Sequence, residues 1–225
     1  MNNRCWYKDV CERCNTDYCD QDCIRFYKMQ YMLDVSLLPR EEQKVIKLVA
    51  DDVDVDAFKQ LKDIQNDIEN IVIAGRSLLL LSKITGNGKT EWCKKIAFSY
   101  LDAIWHKCEL EPKVLFINVP RFFNALRENI DKKNDYVKHI KENVLKADLV
   151  IWDEIGVKTL TNFEHDHLLS YIDQRVVSKK SNLYTSNLSE EELLEALGDR
   201  LYSRIVNMSK VIEFKGRDKR ALNKW

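Results

Sequence analysis

The run Gly86-Asn87-Gly88-Lys89-Thr90, directly behind the apolar stretch Leu78–Leu81, constrains this chain more than any other feature. Closely spaced glycines let consecutive backbone N–H groups converge on one small volume, which only a tight turn allows. A lysine and a hydroxyl residue follow at once, and the pattern from Thr90 onward is helical. A buried strand, a glycine-rich turn and a helix N-terminus make a cradle for phosphate oxygens. Gly86, Asn87 and Gly88 bring donors, Lys89 a cation and Thr90 a hydroxyl for Mg2+, as binding of ATP requires. One position departs from the spacing G-x-x-x-x-G-K-[ST]: Lys83 stands where the first glycine is expected. If the turn needs positive φ there, lysine costs about 1 kcal/mol.

The rest of the chain alternates in a way that fits such a strand. Phe58, Leu61, Ile64, Ile68 and Ile71 recur at three- and four-residue steps, predicting one amphipathic helix closed by Gly75. Leu78–Leu81, Val114–Ile117, Leu149–Trp152, Leu183-Tyr184 and Val211–Phe214 are short apolar runs. Helical patterns lie between them near 90–106, 121–129, 134–146, 163–178 and 189–206. Short buried strands separated by helices predict an α/β fold, with a mostly parallel five-stranded sheet flanked by helices.

The third run ends in two acids, Asp153 and Glu154. At the carboxyl end of a parallel strand they face the crevice where ligands bind. Asp153 is placed to hold Mg2+ through water, and Glu154 to polarise an attacking water as general base. A helix N-cap would explain such acids taken alone; the phosphate loop upstream gives them their chemistry.

Composition excludes several classes. Lys+Arg and Asp+Glu both total 36, so the chain has no net charge and is not a bulk coat for nucleic acid. No apolar run approaches the roughly 18–20 residues that span a bilayer, and the N-terminus lacks a secretory signal, so the expected compartment is the reducing cytoplasm. There, seven cysteines with five in the first 23 residues indicate metal ligation before disulfides. Cys11-x2-Cys14 and Cys19-x3-Cys23 form two chelating pairs for Zn2+, with Cys5 as a spare thiol that can replace Cys14. An iron–sulfur cluster would use the same ligands. Domain limits follow: a Cys-rich module over 1–38, a charged linker over 39–55 and a phosphate-loop domain over 56–225. Ile24, Tyr27, Tyr31 and Val35 form a stripe that either packs on the metal knuckle or docks a partner.

The run Asp148–Val157 resembles the corresponding segment of DnaC-type replicative helicase loaders, which are AAA+ ATPases. Tyr184-Thr185-Ser186-Asn187, the segment Gly198–Ile205 and Gly216–Arg220 resemble further segments of that family, in the right order. Phage members with a Cys-rich head are especially similar, including their form of the phosphate loop. The resemblance implies that Asn187, with Thr185, senses the γ-phosphate. It implies that Arg204, or alternatively Arg200, reaches the ATP of a neighbouring subunit and that Arg220 contacts phosphate in its own. By position, Thr161 and Phe163 match residues that touch single-stranded DNA, with Lys158 in the same loop; packing of Phe163 beneath that loop is the alternative. For the metal it favours Cys5, Cys11, Cys19 and Cys23. The implied function is an ATP-bridged oligomer with slow hydrolysis, whose N-terminal region grips a DnaB-type helicase for delivery to single-stranded DNA. A transposition helper of the IstB type, and a non-catalytic adaptor that blocks a helicase, are the alternatives.

Overall fold

In a computed structural model of the chain, residues 23–38, 48–107, 109–128, 133–157 and 159–219 are described. Strands β1 (Ser77–Leu81), β2 (Val114–Asn118), β3 (Leu149–Asp153), β4 (Ser181–Ser186) and β5 (Ser209–Glu213) form one sheet in the order β2-β3-β4-β1-β5. Every pairing is parallel, so all five carboxyl ends open on one rim.

Helices cover both faces. On one lie α1 (Ile24–Val35), α2 (Val55–Asn66), α3 (Ile68–Ile73) and α4 (Lys89–Ile104), packed on Leu78, Leu80, Phe116 and Ile151. On the other lie α5 (Val119–Glu128), α6 (Asp135–Asn143), α7 (Asn162–Val177) and α8 (Glu190–Ile205), packed on Leu79, Leu81, Ile117 and Trp152. Successive strand residues point to opposite faces, so strands buried on both sides are continuously apolar, as the five runs are.

Three local expectations change. The helix expected across Phe58–Ile71 is two helices, parted at Asp67, whose backbone leaves helical geometry (φ −108, ψ 18). Its side chain accepts from the Asn70 side-chain amide at 2.6 Å. Gly75 does close the pair: at φ +65 it places its own N–H on Val72 O and the Arg76 N–H on Ile71 O. The helix expected over 189–206 is broken by Gly198 (φ 72, ψ 162). Lys83 does not carry the strain considered above; Leu37, Glu154 and Lys179 are the non-glycine residues with positive φ among those described.

Two tertiary devices hold the layers in place. Arg175 of α7 is fully buried and donates to Val144 O, Ala147 O, Ser181 O and Asn182 Oδ1 at 2.5–2.8 Å. Burial draws its pKa down to about 10. On the far edge, the turn after α1 meets β2: the Phe116 N–H donates to Ser36 O at 2.8 Å, with Leu37 turned to φ 64. Met29, Met32 and Leu33 of α1 are buried in the same core as α4.

Candidate nucleotide-binding site

The phosphate loop spans the rim between β1 and α4. Gly86 (φ 73) and Gly88 (φ 106) take left-handed backbone that a side chain would strain, and this folds the loop over the α4 N-terminus. Ser82 braces it from within, accepting from the Ile84 N–H at 3.1 Å and the Asn87 side-chain amide at 2.5 Å. Asn87 is fully buried, and its side chain is a strut within the loop. Lys89 lies in the loop's curve, its ammonium donating to Ile84 O (3.1 Å), Asn87 Oδ1 (3.3 Å) and Ser82 O (3.4 Å).

Facing the loop, a chain of short contacts links three strand ends. Asp153 Oδ1 accepts from the Thr185 hydroxyl at 2.7 Å and from the Thr90 hydroxyl at 3.0 Å. The Glu154 N–H donates to Thr185 Oγ1 at 2.9 Å, and the Asn118 amide donates to Glu154 Oε2 at 2.8 Å. Thr185 is buried, and its hydroxyl bonds Asp153 and the Glu154 N–H, so it positions both acids. Burial pushes the Asp153 carboxyl above its ordinary pKa, against the pull of the two hydroxyls; Glu154 adds to the rise and Lys94 opposes it. Mg2+ takes oxygen donors, usually one or two from the protein with the rest from water and phosphate. A hydroxyl beside a carboxylate next to the phosphate loop supplies that chemistry, Thr90 directly and Asp153 through water. The donor set therefore fits that ion.

Asn187, Glu154 and Thr185 join residues 85–91 around a cleft of about 270 Å3. A second cleft of about 770 Å3 opens beside it, between residues 48–53 and 215–219. The Lys219 N–H donates to Gly86 O at 2.9 Å, so this cleft adjoins the phosphate loop.

Residues 37–225 match the sequence model of a family described as IstB-like ATP binding protein. The chain belongs to this family. A curated relative, the replicative helicase loader DnaC of Escherichia coli K12, is 27% identical over 92 residues, 41% of this chain and 38% of that protein. The match thus spans well under half the length of that curated relative. Among solved structures, a DnaC helicase loader superposes with a TM-score of 0.61 at 19% identity, covering 79% of this chain and all of the other. DnaI superposes with a TM-score of 0.60 at 21% identity, covering 82% of this chain and 95% of the other. These likenesses show the α/β fold, a parallel five-stranded sheet flanked by helices.

Outside the cleft, this IstB-like chain places the remaining sequence candidates as follows. Arg204 of α8 forms an ion pair with Asp173 of α7 at 2.7 Å, both partly exposed, and Arg200 is exposed one turn earlier. Thr161 caps α7: its hydroxyl accepts the Glu164 N–H while its own backbone N–H donates to Glu164 Oε2, completing a capping box. Phe163 is 43% exposed and is not packed beneath the loop; its ring meets His167 edge-on at 4.5 Å. On α1, Ile24, Tyr27 and Tyr31 are exposed. Lys158, Arg220, Cys5, Cys11, Cys14 and Cys19 lie outside the described residues, while Cys23 is a half-buried free thiol beside α1. Among the described residues no group of three or more His, Cys, Asp or Glu is arranged to hold a metal, and no helix is long and apolar enough to cross a membrane.

Sequence reasoning missed Asn118 and Asp54. Asn118 was legible only as a polar residue ending an apolar strand, and Asp54 only as one acid in an acidic run.

Proposed function

We propose that this chain is an ATP-hydrolysing, ATP-switched oligomer that delivers a ring-shaped replicative helicase of the DnaB type onto single-stranded DNA in the cytoplasm. The observation that carries the reading is the shared Asp153 Oδ1, which joins Thr90 of the phosphate-loop helix to Thr185 and Glu154 at the neighbouring strand ends. Membership of an ATP-binding family and a relative named as a replicative helicase loader support it.

In this mechanism the N–H groups of residues 86–90 and the Lys89 ammonium hold the β- and γ-phosphates. Thr90 and Asp153 hold Mg2+, which when bound neutralises charge on the phosphates. Glu154 takes a proton from the attacking water, and Asn187 donates to the γ-phosphate. Arg204 of one copy completes the site of the next, so hydrolysis reports assembly. Phe163, in the first turn of α7, stacks on a base, while the cap residue Thr161 and Lys158 contact the strand's phosphates. Four thiols among Cys5, Cys11, Cys14, Cys19 and Cys23 hold Zn2+ in a head that grips the helicase with the exposed α1 stripe.

Co-purification with a replicative helicase tests the reading. ATP should increase capture, and the complex should retain single-stranded DNA. Absence of a complex in any nucleotide state would sink it. The family match also favours a second reading, a helper for a DNA transposase; preference for duplex over single strands would decide for that.

A further inference from the structure

Asp54 ends the 3-10 turn Asp52–Asp54 and is only 1% exposed. A carboxylate in that setting is costly unless donors surround it. Here the donors are backbone groups from the far end of the chain. Asp54 Oδ1 accepts the Lys215 N–H at 2.7 Å and the Gly216 N–H at 3.1 Å, and Oδ2 lies 3.0 Å from the same Gly216 nitrogen. Charge-assisted bonds of this kind are roughly twice as strong as neutral ones.

The surroundings of Gly216 confirm how closely the two segments are joined. A Cβ placed there would collide with Asp54 Oδ2 and Asp51 Oδ2. Glycine is required at this position by space and not by an unusual φ. Three residues later, Lys219 fastens the same segment twice more. Its N–H donates to Gly86 O of the phosphate loop at 2.9 Å, and its ammonium donates to Val49 O at 2.8 Å. Residues 215–219 are therefore stitched at one end to Asp54 and at the other to the phosphate loop. Between these ties lies the cleft of about 770 Å3, walled by residues 48–53 and by Lys215, Gly216, Arg217 and Lys219.

The phosphate loop has braces of its own, in Ser82, Asn87 and Lys89, apart from the tie to Lys219. Two jobs are thus divided between two sets of residues. Resting on the ATP reading above, we propose that Asp54 is the positioning residue for the nucleoside half of the ligand. It fixes residues 215–219 as the wall against which base and ribose are held, while the phosphate loop holds the triphosphate alone.

Calorimetry with ATP and with inorganic tripolyphosphate, each with Mg2+, separates the two jobs in the full chain. Asp54→Ala should weaken ATP about tenfold or more and leave tripolyphosphate within about twofold of wild type. Asp54→Asn, which keeps one acceptor oxygen, should recover part of the ATP affinity, and Gly216→Ala should reproduce the Asp54→Ala pattern. In steady-state hydrolysis the effect should fall on KM for ATP more than on kcat. Equal loss of both ligands in all three variants would mean that Asp54 merely supports the fold, and unchanged ATP affinity would overturn the proposal outright. A wild-type chain that binds neither ligand would instead overturn the nucleotide reading on which it rests.

Discussion

The side-chain amide of Asn118 donates to Glu154 Oε2 at 2.8 Å, so the last residue of one strand pins the acid that follows its neighbour. Asn118 is the register partner of Asp153, and Glu154 leaves that strand at φ 62, which keeps its carboxylate within reach. The bond ties up the carboxylate at a neighbouring strand end, so an attacking water must compete with the amide for it. Asn118→Ala should therefore raise ATP turnover of the free chain several-fold, with ATP affinity within about twofold. Lower or unchanged turnover would show that the amide orients Glu154 productively instead of restraining it.

Asp153 ionises at a cost, because burial raises its pKa. Asparagine at this position keeps an oxygen for both hydroxyls. Asp153→Asn should raise the Tm of the ligand-free protein at pH 7, by roughly 2–4 °C for each kcal/mol relieved, while Mg2+-dependent hydrolysis is lost. A group whose folded pKa is raised is penalised above that pKa and unpenalised below its unfolded value, about 3.9 for aspartate. The gain should therefore disappear when melting is measured below about pH 4.

Arg204 is engaged by Asp173 within its own chain. If it acts across a junction it must leave that partner, and a partly exposed pair is worth only about 0–1 kcal/mol. Arg204→Ala should leave ATP affinity of the monomer nearly unchanged and depress turnover of the assembly. Mixing it with Lys89→Ala protein should restore some activity, since mixed junctions pair an intact loop with an intact arginine. A mixture that stays inactive although both variants assemble would remove Arg204 from this role and leave Arg200 to be tried.

Arg175 is a structural cation. Arg175→Met would leave Val144 O, Ala147 O and Ser181 O buried without their donor. Each such loss costs about 1–3 kcal/mol, so Tm should fall by roughly 10 °C or more. A lysine ammonium is a compact point charge and does not reproduce the planar, widely spread donors of the guanidinium, so Arg175→Lys should rescue little. A variant melting within 2–3 °C of wild type, as roughly 1 kcal/mol would give, would contradict this.

Phe163 presents an exposed ring that His167 steadies from the side. Phe163→Ala should weaken single-stranded DNA about tenfold, within the 1–3 kcal/mol that stacking supplies per base. Fluorescence anisotropy with a labelled oligonucleotide measures it. Loss of the same size in Glu164→Ala, which loosens the cap of α7 and leaves the ring in place, would show that helix order matters more than the ring.

What could be read from residues alone was local in character. The five strands follow from apolar runs, and Gly86 and Gly88 from the turn they allow. The residues that escaped are defined by partners distant in sequence. Asn118 acquires its role only because β2 and β3 pair in the register that sets it beside Asp153. Asp54 acquires its role because residues 215–219 return to it. The divisions at Asp67 and Gly198 are local, yet an unbroken apolar period across each of them masks the break.

The bond from Phe116 to Ser36 has a practical meaning for anyone who shortens this protein. β2 is the outermost strand of a parallel sheet, and Ser36 takes up one of its outward N–H groups. A chain begun after residue 38 would expose that edge together with the apolar floor beneath Met29, Met32 and Leu33. Bare strand edges recruit other strands, so such a fragment should self-associate in a way unrelated to nucleotide. An oligomer seen only in that fragment would be an artefact of trimming, which makes the first helix a safeguard for solubility as much as a handle for a partner.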